Sequence, residues 1–330
     1  MLAAVLDIPG PVKQSSLLLR EVPTPKPAMG QVLLKVRACG VCRTDLHIIE
    51  GDLPAYDRPV IPGHQLVGNV VESSSTAVQK GSRVGVSWMG GTDGICSYCQ
   101  EGKENLCDNP IYTGYSRDGG FAEYAVVDAD FVLPLPRGMD DLHLAPLLCA
   151  GIIGYRSLKM AEIKPKQKVG LFGFGSSAHL VIRVLQSWGC KVYVSTRGEG
   201  HQSLARRLGA DWVGGEVDEI PAGLDAAITF APSGDVVLAA LRALRKGGIV
   251  AINAIHLDRF PCFDYDSLLW GERQIRSVTN MTRADGREFL ALAEKIGLEP
   301  SVQQFRLRDV NSALMSVRHD EIEGSAVVVP

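Results

Sequence analysis

A glycine-rich loop between a short apolar strand and a helix constrains the fold of this chain more than any other feature. The loop reads Gly173-Phe174-Gly175-Ser176-Ser177-Ala178 and follows the apolar run KVGLF. Gly173 permits a tight turn, Gly175 lets a ligand approach the backbone, and Ala178 lets the helix pack closely on its strand. The loop is either an ordinary strand-to-helix turn or, in the interpretation we favour, the phosphate-binding turn of a dinucleotide site.

Strands and helices alternate around this loop from about residue 151 to residue 278. Strand patterns occupy residues 168–172, 191–195, 225–230 and 247–253. Apolar residues with helical spacing occupy residues 177–188, 202–208 and 235–244. Such alternation predicts an α/β region with a parallel, doubly wound sheet.

The sequence on either side of this region has a different pattern of residues. Up to about residue 135, short strands such as QVLLKVRA, RVGVSW and FAEYAVV are broken by glycine and proline. After about residue 278, one amphipathic helix over residues 287–297 precedes a few short strands ending at SAVVVP. Because 330 residues exceed what one hydrophobic core usually serves, we expect two domains, one of them β-rich.

Composition argues against several classes of partner. The net charge of −3 gives no reason to expect nucleic acid or an anionic membrane. No apolar run approaches the roughly 18 residues of a membrane span, and the start MLAAVLDIPGP lacks the basic region of a secretory signal. We therefore expect a cytoplasmic protein with no nucleic-acid or membrane partner.

Eight cysteines in a reducing compartment indicate metal binding before disulfides where they cluster. Two groups are evident, Cys39 with Cys42 and Cys96 with Cys99 and Cys107, while Cys149 lies alone in APLLCAG. Cys190 and Cys262 have no motif around them, and we interpret both as buried structural thiols.

The stretch GVCRTDLH (residues 40–47), followed by GHQLVG (residues 63–68), resembles the catalytic-zinc segments of the zinc-containing alcohol dehydrogenases, members of the medium-chain dehydrogenase/reductase family. The resemblance extends over nearly the whole chain, including Cys149 and the cysteine group near residue 100. It implies an α/β protein with a GroES-like β-rich catalytic domain over residues 1–150 and 279–330. A Rossmann-type dinucleotide-binding domain would occupy residues 151–278.

The same resemblance implies two metal sites. Cys42, His64 and Cys149 would bind a catalytic zinc with one open position, as in alcohol dehydrogenase, while Cys39 would only pack. Asp93, Cys96, Cys99 and Cys107 would bind a structural zinc, although the family has cysteine at the first position. A carboxylate oxygen is an acceptable zinc ligand, and the alternative is a metal-free lobe held by packing alone. Gln65 stands where the family usually has Glu, so a carboxylate is absent beside the ligand His64.

The resemblance also assigns roles on the helix after Cys42. Thr44 would take the proton of the alcohol and pass it through the cofactor ribose to His47, unless His47 is only a surface histidine. Asp45 would orient His64, and Arg43 would meet the cofactor pyrophosphate. The zinc would stabilise the alkoxide, and the carbon would give its hydride to the nicotinamide.

Cofactor preference depends on the end of the second strand of the alternating region. A carboxylate there would accept hydrogen bonds from the adenosine ribose, but this chain has Ser195-Thr196-Arg197. Since Thr196 and Arg197 suit a 2′-phosphate, NADP(H) is favoured over NAD(H). The alternative is that Arg197 points into solvent and the site is unselective.

By resemblance, Trp88 and Leu53 line the substrate pocket, unless they are ordinary core residues. Leu53 falls where some short-alcohol enzymes carry a second tryptophan. We therefore expect primary alcohols and aldehydes, of medium length or aromatic, as small-molecule substrates.

The alternative functions are those of a zinc-dependent polyol dehydrogenase, a zinc-free quinone reductase and a non-catalytic binding protein of the same fold. The family resemblance indicates a homo-dimer or homo-tetramer.

Overall fold

The computed structural model describes residues 1–54, 58–216 and 218–330. The described chain divides into two compact units. The first unit comprises Met1–Ile152, Asn280–Glu294 and Glu299–Pro330. The second unit comprises Ile153–Thr279 and Lys295–Leu298.

Strands and helices are numbered along the described chain. The strands are β1 (Leu2–Val5), β2 (Leu18–Glu21), β3 (Gln31–Val41), β4 (Gln65–Ser73), β5 (Arg83–Val86), β6 (Met89–Gly91), β7 (Ile111–Tyr112), β8 (Tyr124–Asp128), β9 (Val132–Pro134), β10 (Lys168–Phe172), β11 (Lys191–Ser195), β12 (Trp212–Gly214), β13 (Leu224–Thr229), β14 (Leu244–Ile252), β15 (Gln274–Ser277), β16 (Val302–Arg306) and β17 (Ser325–Val329). The helices are α1 (Arg43–Glu50), α2 (Ser97–Gln100), α3 (Asp141–Leu144), α4 (Ala150–Met160), α5 (Ser176–Ser187), α6 (Glu199–Arg207), α7 (Gly234–Ala243), α8 (Tyr265–Leu268), α9 (Arg283–Lys295) and α10 (Val310–Arg318).

The first unit is built on a seven-stranded sheet in the order β16-β17-β3-β4-β5-β9, with β8 also paired to β3. Its strands pair antiparallel except for β16 and β17, which run parallel. Val32, Leu34 and Val36 of β3 alternate along one face and are buried in a core shared with Phe121 and Leu314. Strand β3 of this sheet leads directly into Cys42 and α1, so the sheet positions the start of that helix.

Pairing of β3 with β4 brings the two ends of the GVCRTDLH and GHQLVG segments together. Gly40 lies opposite Gln65 in the antiparallel register, so the residues just beyond the two strand ends are neighbours. Gly40 suits this close approach, because a Cβ atom there would lie 2.9 Å from Nε2 of Gln65. A side chain at position 40 would therefore displace Gln65.

The second unit is a six-stranded parallel sheet in the order β12-β11-β10-β13-β14-β15. Counted from β10, this is the order 3-2-1-4-5-6 of a doubly wound dinucleotide-binding sheet, with its reversal between β10 and β13. Val169 and Leu171 of β10 are completely buried, as expected for a central parallel strand. The predicted fold class, a GroES-like β-rich region plus a Rossmann-type sheet, is confirmed.

Several elements differ from the sequence prediction. Helix α9 begins at Arg283, four residues earlier than the apolar spacing suggested. Asp285 accepts a hydrogen bond from the backbone N–H of Thr282 at 3.0 Å, and the Thr282 hydroxyl accepts one from the N–H of Asp285 at 3.1 Å. This reciprocal pairing caps the helix before its apolar face begins. Helix α10 was not predicted from the sequence.

No helix among the described residues is long and apolar enough to cross a membrane.

Candidate active site

Cys42, His64 and Cys149 lie together in the first unit. Their two sulfur atoms and one imidazole nitrogen all lie within 4.8 Å of one another, and Sγ of Cys42 is 3.3 Å from Nε2 of His64. Cys42 is the N-cap of α1, His64 immediately precedes β4, and Cys149 follows a buried 3₁₀ turn over Ala145–Leu148. The fold therefore converges three ligand-type atoms from distant parts of the sequence.

Asp45 connects the Cys42 segment to the His64 segment and is completely buried. Its Oδ2 accepts a hydrogen bond from the backbone N–H of Cys42 at 2.9 Å, which completes a capping box. Its Oδ1 lies 3.2 Å from Nδ1 of His64 and accepts a bond from the N–H of Gly63 at 3.2 Å. With Nδ1 held by the carboxylate, Nε2 of His64 faces Cys42.

The charges within this cluster favour thiolate and imidazolium when no metal is bound. A hydrogen bond from Cys149 holds the pKa of Cys42 well below its usual range, despite burial, and raises the pKa of Cys149. Burial lowers the pKa of His64, but the charges of Cys42 and Asp45 outweigh it and raise the pKa to about 10. Two sulfurs and one oriented imidazole nitrogen are the donor set of a tetrahedral zinc site with one position open, so these residues fit a zinc ion.

Cys39 and Gln65 flank the cluster without joining it. Sγ of Cys39 is buried against the backbone of Gly63 and Gly120, and burial raises the pKa of the thiol. Gln65 is buried as well, and its Oε1 has no hydrogen-bond partner among the described residues. Gln65 thus places a neutral amide beside His64.

Helix α1 carries the residues predicted for proton transfer. Thr44 is buried, and its backbone N–H donates to Sγ of Cys42 at 3.4 Å. His47 lies near the other end of the helix, with Nδ1 2.7 Å from Oδ2 of Asp52. Arg43, predicted to meet a pyrophosphate, is exposed and forms an ion pair with Asp320.

An aromatic cluster packs against His64. The ring of Trp88 meets the imidazole edge-on, with centroids 5.2 Å apart and planes at 79°. Tyr112 and Tyr115 lie nearly parallel to Trp88 at 4.7 and 5.9 Å. Leu53 is partly buried and packs against the same core as Trp88. The sequence analysis missed both tyrosines, although the run IYTGY soon after the last cysteine of the second group was an available signal.

The second group, Asp93, Cys96, Cys99 and Cys107, also brings its ligand-type atoms within 4.8 Å of one another. Only Cys107 is buried. Its sulfur accepts hydrogen bonds from the backbone N–H groups of Asp93 and Asn109, both at 3.4 Å. A bond from the Asn109 side chain, together with backbone N–H groups, lowers the pKa of Asp93, so its carboxylate is charged and able to bind a metal. Three thiols and one carboxylate fit a zinc ion.

An ion pair fastens this lobe to the start of α9. Glu104 lies between Cys99 and Cys107 in sequence and receives hydrogen bonds from the guanidinium of Arg283. Glu104 is buried, and Arg283 also stacks over Phe131, with its guanidinium carbon 4.5 Å from the ring centroid. This attachment was not evident from the sequence, because 179 positions separate the two residues.

The glycine loop lies in the second unit, between β10 and α5. Gly173 has φ +88°, which favours glycine, and its N–H donates to the carbonyl of Ser195 at 2.8 Å. Gly175 is the N-cap of α5, and no atom lies within 4 Å of where its Cβ would be. The first turn of α5 contains Ser176, Ser177 and Ala178. The space beside Gly175 at the start of this turn is open, so a phosphate could approach the backbone N–H groups there.

The end of β11 carries the residues predicted to select the cofactor. Thr196 is buried and its hydroxyl donates to the carbonyl of Arg197 at 3.4 Å, while the Arg197 side chain is exposed.

Three other residues of the second unit, one histidine and two cysteines, differ in burial. His179 of α5 is buried, and burial lowers its pKa to about 4. Cys190 is buried as predicted, but Cys262 is exposed in the loop before α8, so the prediction of a buried thiol there is wrong.

Comparisons with known proteins agree with this geometry. The family model of the alcohol dehydrogenase GroES-like domain matches residues 28–137. A protein of Mycobacterium tuberculosis (strain CDC 1551 / Oshkosh), described as "Probable alcohol dehydrogenase AdhA", is 46% identical over 328 residues, covering 97% of this chain and 95% of that protein.

Solved structures resemble the chain over its whole length. A cobalt- and zinc-bound thermostable alcohol dehydrogenase from Pyrobaculum aerophilum aligns with a TM-score of 0.90 at 26% identity, covering 100% of this chain and 99% of that one. Acetophenone reductase from Geotrichum candidum NBRC 4597, in complex with NAD, aligns with a TM-score of 0.88 at 26% identity. The alignment covers 100% of this chain and 97% of the reductase. With the converging cysteines and histidine and the 3-2-1-4-5-6 sheet, these matches show that the chain belongs to the zinc-type alcohol dehydrogenases of the medium-chain dehydrogenase/reductase family.

Proposed function

We propose that this protein is a zinc-dependent alcohol dehydrogenase and aldehyde reductase that transfers hydride between primary alcohols or aldehydes, medium-chain or aromatic, and NAD(P). The observation that carries the proposal is the convergence of Cys42, His64 and Cys149 beside the indole ring of Trp88. The alcohol dehydrogenase from Pyrobaculum aerophilum, described as cobalt and zinc bound, supports zinc as a metal of this protein. A polyol dehydrogenase remains the alternative, and an apolar wall of aromatic rings is a poor match for a polyhydroxylated substrate.

In this proposal each residue of the first cluster has a distinct task. Cys42, His64 and Cys149 hold the metal, and Asp45 keeps His64 in the tautomer that offers Nε2. When bound, zinc supplies a Lewis acid for the substrate oxygen, and the nicotinamide supplies the hydride acceptor or donor. Thr44 would accept the proton of the alcohol at its hydroxyl oxygen and give up its own hydroxyl proton, which would be relayed to His47. His47, oriented by Asp52, passes the proton toward solvent.

The cofactor is a nicotinamide dinucleotide bound at the glycine loop, and we propose NADP(H) over NAD(H). No carboxylate ends β11, and the exposed guanidinium of Arg197 can pair with a 2′-phosphate. The buried hydroxyl of Thr196 would have to turn from the carbonyl of Arg197 to contribute. Measuring kcat/KM with both cofactors tests this, and Thr196→Asp should move preference toward NAD(H). A wild-type enzyme already strongly selective for NAD(H) would refute it.

Substrate size is set, in this proposal, by Trp88 and Leu53. A flat indole beside the metal cluster excludes branching near the reacting carbon, while leucine leaves more room than a second tryptophan would. Each additional buried methylene then contributes up to about 0.8 kcal/mol, roughly fourfold in kcat/KM. Rates along a series of straight-chain aldehydes should rise with length, and Leu53→Trp should shift the optimum to shorter chains. A preference for the two-carbon substrate would contradict this assignment.

We further propose a homo-oligomer, a dimer or tetramer, working in the cytoplasm. Strand β15 ends the parallel sheet, and no described strand pairs with its outer edge. Tyr265 and Trp270, just before β15 in sequence, are more than half exposed and contact each other. An open edge beside exposed aromatic rings suits pairing with a second copy. Free thiols in both metal clusters need a reducing compartment.

One experiment tests the proposed function as a whole. Purified protein is assayed for metal content and for the change in nicotinamide absorbance with NAD(H) and NADP(H), across primary, secondary and polyhydric alcohols and the matching carbonyl compounds. We expect at least one tightly held zinc per chain and turnover of primary substrates. Turnover confined to polyols would establish the alternative, and turnover of none would leave a binding protein.

A further inference from the structure

Tyr115 contacts Trp88, one of the two residues proposed to shape the substrate pocket, and Pro54, which follows the other residue, Leu53. Its ring is nearly parallel to that of Trp88, with centroids 5.9 Å apart and planes at 17°. Its hydroxyl donates a hydrogen bond of 2.5 Å to the backbone carbonyl of Pro54, the residue after Leu53. One side chain therefore joins two walls that are otherwise 35 positions apart in sequence (88 − 53).

Trp88 is already fixed at its backbone, so the tyrosine acts on the ring. The carbonyl of Trp88 accepts a bond from the N–H of Thr113 at 3.0 Å, and β6 pairs with β7 immediately after it. These bonds leave the two side-chain torsions of the indole undetermined. Tyr112 and Tyr115 restrict them together with His64, because the centroids of the indole and the two phenol rings form a compact triangle with sides of 4.7, 5.9 and 6.3 Å, and His64 meets the indole at 5.2 Å.

The two tyrosine hydroxyls connect to different places, which gives a matched pair for experiment. The hydroxyl of Tyr112 accepts a hydrogen bond from Nδ2 of Asn280 at 3.2 Å, so it ties the cluster to the segment before α9. The hydroxyl of Tyr115 instead holds the segment that carries Leu53. Phenylalanine at each position keeps the stacked ring and removes the hydroxyl, so the bond to Asn280 and the bond to Pro54 can be tested separately.

We propose that Tyr115 is a specificity-determining positioning residue that sets the distance between Trp88 and Leu53, and so the length and branching of substrate that the pocket accepts. The proposal rests on the proposed function of this site. Tyr115 acts through its neighbours, because its ring orients the indole against His64 and its hydroxyl anchors Pro54.

The first test compares Tyr115→Phe with Tyr112→Phe and with the control Tyr124→Phe on β8. Tyr115→Phe should raise KM for long straight-chain aldehydes roughly fivefold, as expected for one lost hydrogen bond. The value of kcat, and the KM for the two-carbon aldehyde, should stay nearly unchanged. Tyr124→Phe should leave the chain-length profile as it is, and Tyr112→Phe, which keeps the bond from Tyr115 to Pro54, should not reproduce the change seen in Tyr115→Phe. Equal chain-length profiles in Tyr115→Phe and wild type would overturn the proposal.

A double-mutant cycle separates positioning from a general loss of stability. Leu53→Ala should change kcat/KM for long aldehydes much less in the Tyr115→Phe background than in wild type, whereas its effect should be unaltered in the Tyr112→Phe background. Additive effects in both backgrounds would refute a link through Pro54. Zinc content and Tm are measured for every variant, and the phenylalanine variants keep the ring, so folding is preserved.

A third measurement does not depend on turnover. Tyr115→Leu, which removes the ring, should increase the mobility of Trp88, measured as fluorescence anisotropy relative to a Trp88→Phe reference that reports the other three tryptophans. An inactive wild-type protein with this anisotropy response would refute the proposed function and leave the positioning of Trp88 standing. An active enzyme with neither the anisotropy nor the chain-length response would refute the role of Tyr115 alone.

Discussion

The two cysteine clusters of the first unit offer similar atoms at similar spacing but in opposite environments. At the first cluster, His64 and Asp45 are completely buried, and each supports the other electrostatically. At the second cluster, only Cys107 is buried, and the thiols and Asp93 interact chiefly with backbone N–H groups. Ligand spacing alone therefore does not decide what a site does. Burial and the orientation of each donor do.

The comparison also separates two ways of stabilising a metal site. Asp45 organises the first cluster with three hydrogen bonds, so removing it leaves a buried imidazole without its partner. The second cluster is held from outside, by Glu104 and Arg283, so its lobe is attached to α9 whether or not a metal is present. We expect the first cluster to govern activity and the second to govern stability.

The largest effect should come from removing one thiol in each cluster. Cys42→Ser should lower kcat/KM by at least about 10³-fold, because the Lewis acid contributes several kcal/mol to the transition state. Cys96→Ser should leave kcat/KM within a few-fold and lower Tm by several degrees. Steady-state kinetics and thermal unfolding of the two variants check this. Comparable losses of activity would remove the functional distinction between the clusters.

The next effect concerns Asp45, which contacts no substrate in our assignment. Asp45→Asn keeps the shape but offers His64 a weaker, uncharged partner, so we expect roughly 10–100-fold loss in zinc affinity or in kcat/KM. Competition with a chromogenic chelator measures the affinity and initial rates measure the activity. Asn109→Ala is the counterpart at the second cluster and should affect zinc retention there without changing the rate of turnover. Wild-type behaviour of Asp45→Asn would show that Asp45 does not orient the ligand.

A smaller effect is expected from the carboxylate of the second cluster. A thiolate at this position would complete an all-sulfur site, so Asp93→Cys should slow zinc loss to a chelator about tenfold, and Asp93→Ala should accelerate it. In wild type, gradual chelation should remove this zinc first, while activity persists. A protein that never holds more than one zinc per chain would exclude Asp93 as a ligand.

The smallest effect concerns the attachment of the lobe. Glu104→Gln should lower the free energy of unfolding by about 1–3 kcal/mol without altering kcat/KM, because it removes a charged partner of Arg283. Burial raises the pKa of Glu104, but its bonds to Arg283 outweigh this and lower it, so its contribution is present above about pH 4.5 and declines as pH falls. Denaturant unfolding at pH 7 and pH 4 should therefore show the variant approaching wild type in acid. A difference that grows in acid would contradict this origin.

Local patterns predicted the second unit well and the contacts of the site less well. Strands β10 and β11 coincide with the predicted runs 168–172 and 191–195, since a buried parallel strand has a continuous apolar sequence. Both cysteine clusters were found from spacing and resemblance. The bond from Tyr115 to Pro54 and the pair of Glu104 with Arg283 were not, because no periodicity encodes which distant surfaces meet. Helix α10 was missed since its apolar face, with Val310, Ala313 and Leu314, is too short to stand out.

Strand β17 has a consequence for how the protein acquires its metal during synthesis. Its residues 326–328 pair with residues 39–41 of β3, the strand that leads directly into Cys42. At about 5–20 residues per second, a ribosome needs tens of seconds to make the intervening chain. During that interval residues 39–41 of β3 lack β17 as a partner, although β4 and β8 can already pair with β3. The end of the strand that positions Cys42 is therefore completed only when the last strand of the sheet has been made.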